Sequence, residues 1–540
     1  MRFPHQTRPA PAPRRRRTAL ASIPTPWAAA IFCGLTAMGC DDEPPSFEVA
    51  EATIEGVQLA IRSGRTTCRE VVEGHLARIE AYDADLDAIT VVNPTALRRA
   101  DEIDAAISIG AELGPLFCVP MLVKDNFDTR DMVTTGGSSA LARSVPPDDA
   151  FMVGAIRRAD AIVIAKTNMA EWAFSPRQTV SSSFGTTRNA YDLGRVPAGS
   201  SGGTASGVAA SLGLIGLGSD TGNSIRGPSS HLALVGIRST IGLTSRDGVI
   251  PLSFDRDIAG PMGRTVEDVA RVFDVVAGTD PADPYTLAAF ERREDDYTAF
   301  LDPTALEGAR IGVLRSLVDR GGADPAIVSL FEIALRDLAA LGADLVDPFV
   351  FDVDAQNDRE GMYCNRFRYD VGQYLASLGD DAPIRDVVEV LDTGDYTEFG
   401  EARIRRAVET PFDVHPSEWD DPCPDYATNP GRQAYLSELV AAMDEARVDA
   451  LVYPSWLCVP APIDRGDEEY CGDNSQLVAP ATGMPAITVP MGFTNGEWPA
   501  GLQILARPWA EGLLFSYAHA YEQATRHRRP PDGFPPLPRQ

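Results

Sequence analysis

Two stretches decide how this chain is read: Gly199-Ser200-Ser201-Gly202-Gly203, and Ser219-Asp220-Thr221-Gly222-Asn223-Ser224-Ile225-Arg226-Gly227-Pro228. Alone, the first has the composition of a flexible linker. Its continuation argues otherwise: a helix-compatible stretch (TASGVAASL, 204–212), a Gly-punctuated apolar run to Gly218, and then the second stretch. A buried strand feeding a Gly-containing turn presents consecutive backbone N–H groups, a nest of donors suited to an oxyanion. Ser224, at the end of that turn, sits where a nucleophile would and needs a base.

Histidine is the usual base, and the chain has six: His5, His75, His231, His415, His519 and His527. Only His231 is near, seven residues past Ser224, and on a following helix it is expected to point into packing. Lysine is the alternative. Of 48 basic residues only Lys124 and Lys166 are lysines, and all the others are arginines. Arginine stays protonated at any workable pH, whereas a desolvated lysine can lose its proton and act as a base. A compositional preference for arginine accounts for the scarcity equally well, so position must decide. Lys124 closes the apolar run Val119 to Val123, where burial would bring its pKa toward neutrality.

Outward from these residues, the apolar runs VPMLVK (119–124), AIVIAK (161–166), GLIGLGS (213–219) and LVGI (234–237) read as buried strands alternating with helices. Further strand-like runs lie at 450–453 and 486–491. The pattern predicts an α/β fold, a sheet covered on both sides by helices. Residues 47–108 read as helical, with Thr67 as N-cap of a helix whose apolar face carries Val71, Val72, Leu76, Ile79 and Tyr82. Residues 280–440 are more polar and acidic and read as a helical insertion, either an added layer or a region that covers the substrate. The chain closes with a helix over 511–526 and a Pro-rich tail, 531–540.

The first 39 residues carry six arginines, no acidic residue and an apolar stretch (WAAAIFCGLTAMG, 27–39) that ends at Cys40. This is the layout of a signal peptide. Ala37-Met38-Gly39-Cys40 resembles a bacterial lipoprotein cleavage box, with Cys40 as the lipidated residue; plain cleavage to a secreted protein is the alternative. Both predict an exported chain, at the cell envelope or in the periplasm, held to a membrane only through Cys40. Residues 40–50 form a tether to a domain spanning 51–530. Removing the first 39 residues takes six positive charges away and moves the net charge from −29 to −35. So acidic a chain is a poor nucleic-acid binder. Six cysteines remain (Cys68, Cys118, Cys364, Cys423, Cys458, Cys471), with Cys458 and Cys471 the most local potential disulfide. No Cys-x-x-Cys or His-Glu-x-x-His run is present, so the sequence supports no metal site.

Together, Val119-Pro120-Met121-Leu122-Val123-Lys124-Asp125-Asn126, the 199–203 run, Asp220 to Arg226 and the 24-residue spacing from Ser200 to Ser224 resemble the amidase signature family of serine hydrolases. Flanking pieces agree: Lys166 to Trp172, Asp257 to Met262, and Ala486 to Pro490. The resemblance spans about residues 50–530 and is densest over 114–275. It implies a large mixed, twisted β-sheet between helices in one domain. It implies a Ser-Ser-Lys triad of Ser224 (nucleophile), Ser200 (proton relay, at a cis peptide bond) and Lys124 (base). The backbone N–H groups of Thr221, Gly222, Asn223 and Ser224 would form the oxyanion hole, with Asp220 and Arg226 bracing the turn and Lys166 structural. The implied reaction is hydrolysis of a small-molecule amide through an acyl-enzyme, without a cofactor. Rival readings are a glutaminase-type subunit of an amidotransferase and a non-catalytic amide-binding lipoprotein. Two residues depart from the pattern: Ala198 stands where the strict signature has Gly, and Asn223 where many members have Gly. A left-handed backbone at Asn223 would preserve the turn, while its side chain would narrow the acyl pocket.

Overall fold

Apolar runs bounded by Gly and Pro become inner strands, because a strand buried on both faces needs no polar alternation. The computed structural model describes residues 47–466 and 468–538; the expected signal peptide, Cys40 and most of the expected tether lie outside the described residues. The strands are β1 (Ile89–Val92), β2 (Pro120–Lys124), β3 (Ile162–Thr167), β4 (Val180–Ser181), β5 (Gly185–Thr186), β6 (Ile215–Asp220) and β7 (Val235–Arg238). They continue as β8 (Ile258–Gly263), β9 (Arg310–Val313), β10 (Asp344–Val346), β11 (Ala450–Pro454), β12 (Ala486–Thr494) and β13 (Trp498–Ala506). Eleven form one mixed sheet in the order β1-β3-β2-β6-β8-β7-β12-β13-β11-β9-β10, while β4 and β5 pair as a separate ribbon. Helices flank this sheet, the α/β architecture expected from the alternating runs.

Strand β2 pairs in parallel with both β3 and β6, so the C-terminal ends of all three, bearing Lys124, Thr167 and Asp220, open on the same edge. Such an edge is where α/β sheets place their chemistry. The 199–203 run is not a linker. It leads into the helix Gly202–Ala209, and its glycines are demanded by contact: a Cβ on Gly199 would lie 2.5 Å from the carbonyl oxygens of Ser175 and Gln178, and one on Gly203 2.3 Å from that of Asn168.

The expected N-cap is present: Thr67 opens the helix Cys68–Leu86 with a reciprocal capping box to Glu70. Residues 47–108 are not wholly helical, since β1 forms an edge of the sheet, antiparallel to β3. The polar segment is likewise more than a helical insertion. It supplies β9 and β10, which close the far side of the sheet beyond β11. The local sequence hides β8, which contains Gly260 and Pro261, and β13, which contains Pro499 and Gly501; neither gives an uninterrupted apolar run. All six cysteines of the described chain pair, as Cys68–Cys118, Cys364–Cys423 and the local Cys458–Cys471. The Pro-rich tail is anchored. Arg78 donates to the carbonyls of Phe534 and Pro535, each at 2.8 Å, and Phe534 packs edge-on against Tyr82.

Candidate functional site

Lys124 ends β2 and is fully buried. Its Nζ donates to Ser200 Oγ at 2.7 Å and to Ser219 Oγ at 2.8 Å. Burial pushes its pKa down from 10.5 to about 7, against the opposing pull of Asp257 and Asp220. Ser200 lies just ahead of the helix Gly202–Ala209, and the Gly199–Ser200 peptide bond is cis. Ser219 carries no motif signal of its own. It sits on β6 beside the lysine and also accepts a hydrogen bond from Asn126 Nδ2 at 3.0 Å. Its nearness follows only from the parallel pairing of β2 with β6: Val123 is opposite Leu217, and Ser219 stands two residues further along β6, one past the level of Lys124.

After β6 the chain turns through 221–224. Ser224 is buried, and its Oγ donates to Asn223 Oδ1 at 3.4 Å. Among the described residues no hydrogen bond joins Ser224 to Ser200, so the structure brings Lys124 and Ser200 together and leaves the second link of the expected triad open. Among the described residues the backbone N–H groups of Thr221, Gly222, Asn223 and Ser224 donate to no protein acceptor, whereas those of Ile225 and Arg226 both donate to Asp220 Oδ2. Four successive free donors are the arrangement that an anion-binding nest requires.

The turn is held from beneath. Asp220 is fully buried between Arg226 Nε and Arg238 Nη1, both 3.0 Å away. Burial would raise its pKa, but the two guanidinium groups prevail and hold it at about 2. Arg226 also donates to the Gly222 carbonyl at 2.7 Å, fixing the turn directly. Arg238 escapes sequence reasoning because it lies on β7, outside the motif; its Nη2 donates to the Arg256 carbonyl at 2.6 Å. Asp257 is a further brace, accepting from Thr221 Oγ1 and from the Leu252 and Ser253 amides.

The two departures resolve differently from expectation. Asn223 is not in the left-handed region; Ala198 is, with φ of 63°, at the position where the signature has Gly. The Asn223 side chain is buried and donates to the Pro176 carbonyl at 3.2 Å, so it ties the turn to the 176 loop. Lys166 is buried on β3 away from the serines, 3.2 Å from Asp125 Oδ1, and donates to Thr134 Oγ1 and to the Phe127 carbonyl, each at 2.8 Å. His231 is buried against Trp456 with ring centroids 4.7 Å apart, and burial alone pushes its pKa down to about 3.

The Amidase family model matches residues 70–515. The peptide amidase of Stenotrophomonas maltophilia is 36% identical and superposes with a TM-score of 0.79, covering 89% of this chain and 98% of its own. A peptide amidase in complex with the competitive inhibitor chymostatin gives 36% identity and a TM-score of 0.81, covering 89% of this chain and 99% of that one. The A-subunit of the glutamyl-tRNA(Gln) amidotransferase of Synechococcus sp. (strain JA-3-3Ab) is 33% identical over 506 residues, 90% of this chain and 95% of that protein. With the signature residues standing on the strand edge and turn just described, the chain belongs to the amidase signature family.

Proposed function

We propose that this chain is an exported amidase that hydrolyses a carboxylic amide to acid and ammonia or amine through an acyl-enzyme on Ser224. The observation that carries this reading is the 2.7 Å contact between Lys124 Nζ and Ser200 Oγ, made by a lysine that burial holds near pKa 7. At neutral pH about half of such a lysine is a free amine, the protonation state a general base requires. Ser219 and Asn126 orient that amine: an Nζ–H directed at Ser219 leaves the lone pair toward Ser200.

In the proposed reaction Ser224 turns from Asn223 toward Ser200, and its Oγ attacks the amide carbon. The Ser224 proton passes to Ser200 Oγ as the Ser200 proton passes to Lys124 Nζ. The carbonyl oxygen becomes an oxyanion facing the free N–H groups of 221–224. The C–N bond breaks, and the nitrogen leaves with the proton returned through Ser200. Water then attacks the acyl-enzyme by the same relay and releases the acid. The similarity to peptide amidases supports an amide substrate. Export is supported by the arginine-rich, apolar N-terminal segment and by the three disulfides. Lipidation at Cys40 belongs to the same reading.

A second reading has an observation of its own: 33% identity to the A-subunit of an amidotransferase would make the chain a glutaminase that works beside a protein partner. Incubation with a fluorophosphonate probe and peptide mapping tests the catalytic claim. An adduct on Ser224 that is lost in Lys124→Arg is expected, and an unlabelled Ser224 in folded protein leaves an amide-binding protein instead. Ammonia release from peptide amides by the chain alone favours the amidase; release from glutamine only favours the glutaminase.

A further inference from the structure

A cavity of about 310 Å³ opens beside the oxyanion turn, with Thr221 in its wall. Among the described residues its lining contains four arginines, Arg256, Arg366, Arg403 and Arg406, and no carboxylate, in a chain whose net charge is −29. Arg366 is neutralised: it grips Asp370 at 2.8 Å and Asp425 at 2.8 Å. The other three are not. Among the described residues no ion pair joins Arg256, Arg403 or Arg406 to a carboxylate, although arginines elsewhere are extensively paired.

Arg256 stacks its guanidinium 4.0 Å from the centroid of the Tyr363 ring, and among the described residues its buried Nε has no acceptor. An orphaned buried donor is costly unless something supplies the acceptor. Arg403 and Arg406 stand one turn apart on the helix Glu398–Ala407, so they share a face and repel each other. Desolvation first, then the neighbouring Arg406 and Arg177 charges, holds the Arg403 pKa below its ordinary value. The nearby acids are committed elsewhere: Asp255 to Arg432, Asp257 to Thr221 and the 252–253 amides, Glu401 to Arg405. Phe174 and Phe367, ring centroids 4.6 Å apart, supply an apolar part of the wall.

We infer that this cavity selects an amide substrate that also carries a carboxylate, with Arg256, Arg403 and Arg406 receiving the anion while the amide lies against the oxyanion turn. The inference rests on the amidase reading above and gives it a substrate class. Guanidinium groups suit carboxylates because their planar donor fork matches two oxygens, and a cavity of this volume is the size of a small-molecule site. Two substrate types share the chemistry: the monoamide of a dicarboxylic acid, and a peptide amide with an acidic side chain.

The test compares ammonia release from matched pairs by the full chain: succinamate against methyl succinamate, and the α-amide of N-acetylglutamate against its γ-methyl ester. Charge-assisted hydrogen bonds lead us to expect at least one pair to favour the carboxylate by about ten- to a hundredfold in kcat/KM. That ratio should collapse at least about tenfold in Arg256→Gln, and likewise in the Arg403→Gln/Arg406→Gln double variant, whose sites are on a surface helix and should not impair folding. The pair that responds identifies the substrate type. A ratio near one in both pairs, ratios untouched in both variants, or no turnover of any of the four by a chain that labels at Ser224 would overturn the anion site. Absence of Ser224 labelling would instead fell the amidase reading itself.

Discussion

Replacing Lys124 with methionine should abolish the chemistry and yet stabilise the protein at neutral pH. Burial holds this amine near pKa 7 rather than 10.5, a difference worth about 5 kcal/mol at about 1.4 kcal/mol per unit. The unfolded chain binds a proton there that the folded chain resists. The penalty is therefore complete below about pH 7, where both states are charged, and it fades as pH rises to 10.5, where both are neutral. Methionine removes the penalty and forfeits the hydrogen bonds to Ser200 and Ser219, about 1 kcal/mol each. Lys124→Met should then gain about 2 to 3 kcal/mol at pH 7 and lose about 2 at pH 10.5, with the curves crossing near pH 9. Urea unfolding of both proteins across pH 6.5 to 10.5, analysed for the difference between them, measures this directly. Parallel stability curves would show that Lys124 titrates like an exposed lysine, and the proposed base would be lost with it.

Three further substitutions separate the turn from its supports. Asp220→Asn leaves Arg226 and Arg238 buried without a counter-charge and should cost about 3 to 5 kcal/mol by denaturant unfolding, with slower labelling of Ser224 as the turn loosens. In the wild type the Asp220 contribution is whole above about pH 4 and is lost as pH falls toward 2, the sign required by its depressed pKa. Lys166→Arg keeps the charge facing Asp125 but adds volume to a full site, so it should cost about 1 to 3 kcal/mol while Ser224 still labels. Ala198→Gly relieves a left-handed alanine and should raise stability by about 1 kcal/mol in the same unfolding assay; no gain would mean that neighbouring contacts fix this conformation without strain.

The legible parts of the fold were those where one local run carries the signal. VPMLVK, AIVIAK, GLIGLGS and LVGI became β2, β3, β6 and β7 because both faces of each strand are buried and nothing polar interrupts them. Strands β8 and β13 escaped because Pro and Gly sit inside them, and β9 and β10 because each is only three or four residues in a polar region. The candidate site divides the same way. Lys124, Ser200, Ser224 and the Asp220–Arg226 pair stand in recognisable motifs. Ser219 becomes visible only once β2 and β6 are paired and its hydroxyl meets Lys124, and Arg238 only once β7 lies near the turn. The arginine cavity could not be read at all, since Arg256 and the Arg403–Arg406 helix lie some 150 residues apart and nothing local marks them as neighbours.

In the proposed mechanism catalysis turns on a neutral Lys124 drawing a proton from Ser224 through Ser200. The pH dependence of the single-turnover rate of Ser224 acylation tests that transfer most directly. The rate should fall about tenfold per pH unit below about pH 7, as Lys124 becomes protonated, and should level off above it. A rate independent of pH from 5 to 9 in folded protein would contradict the mechanism.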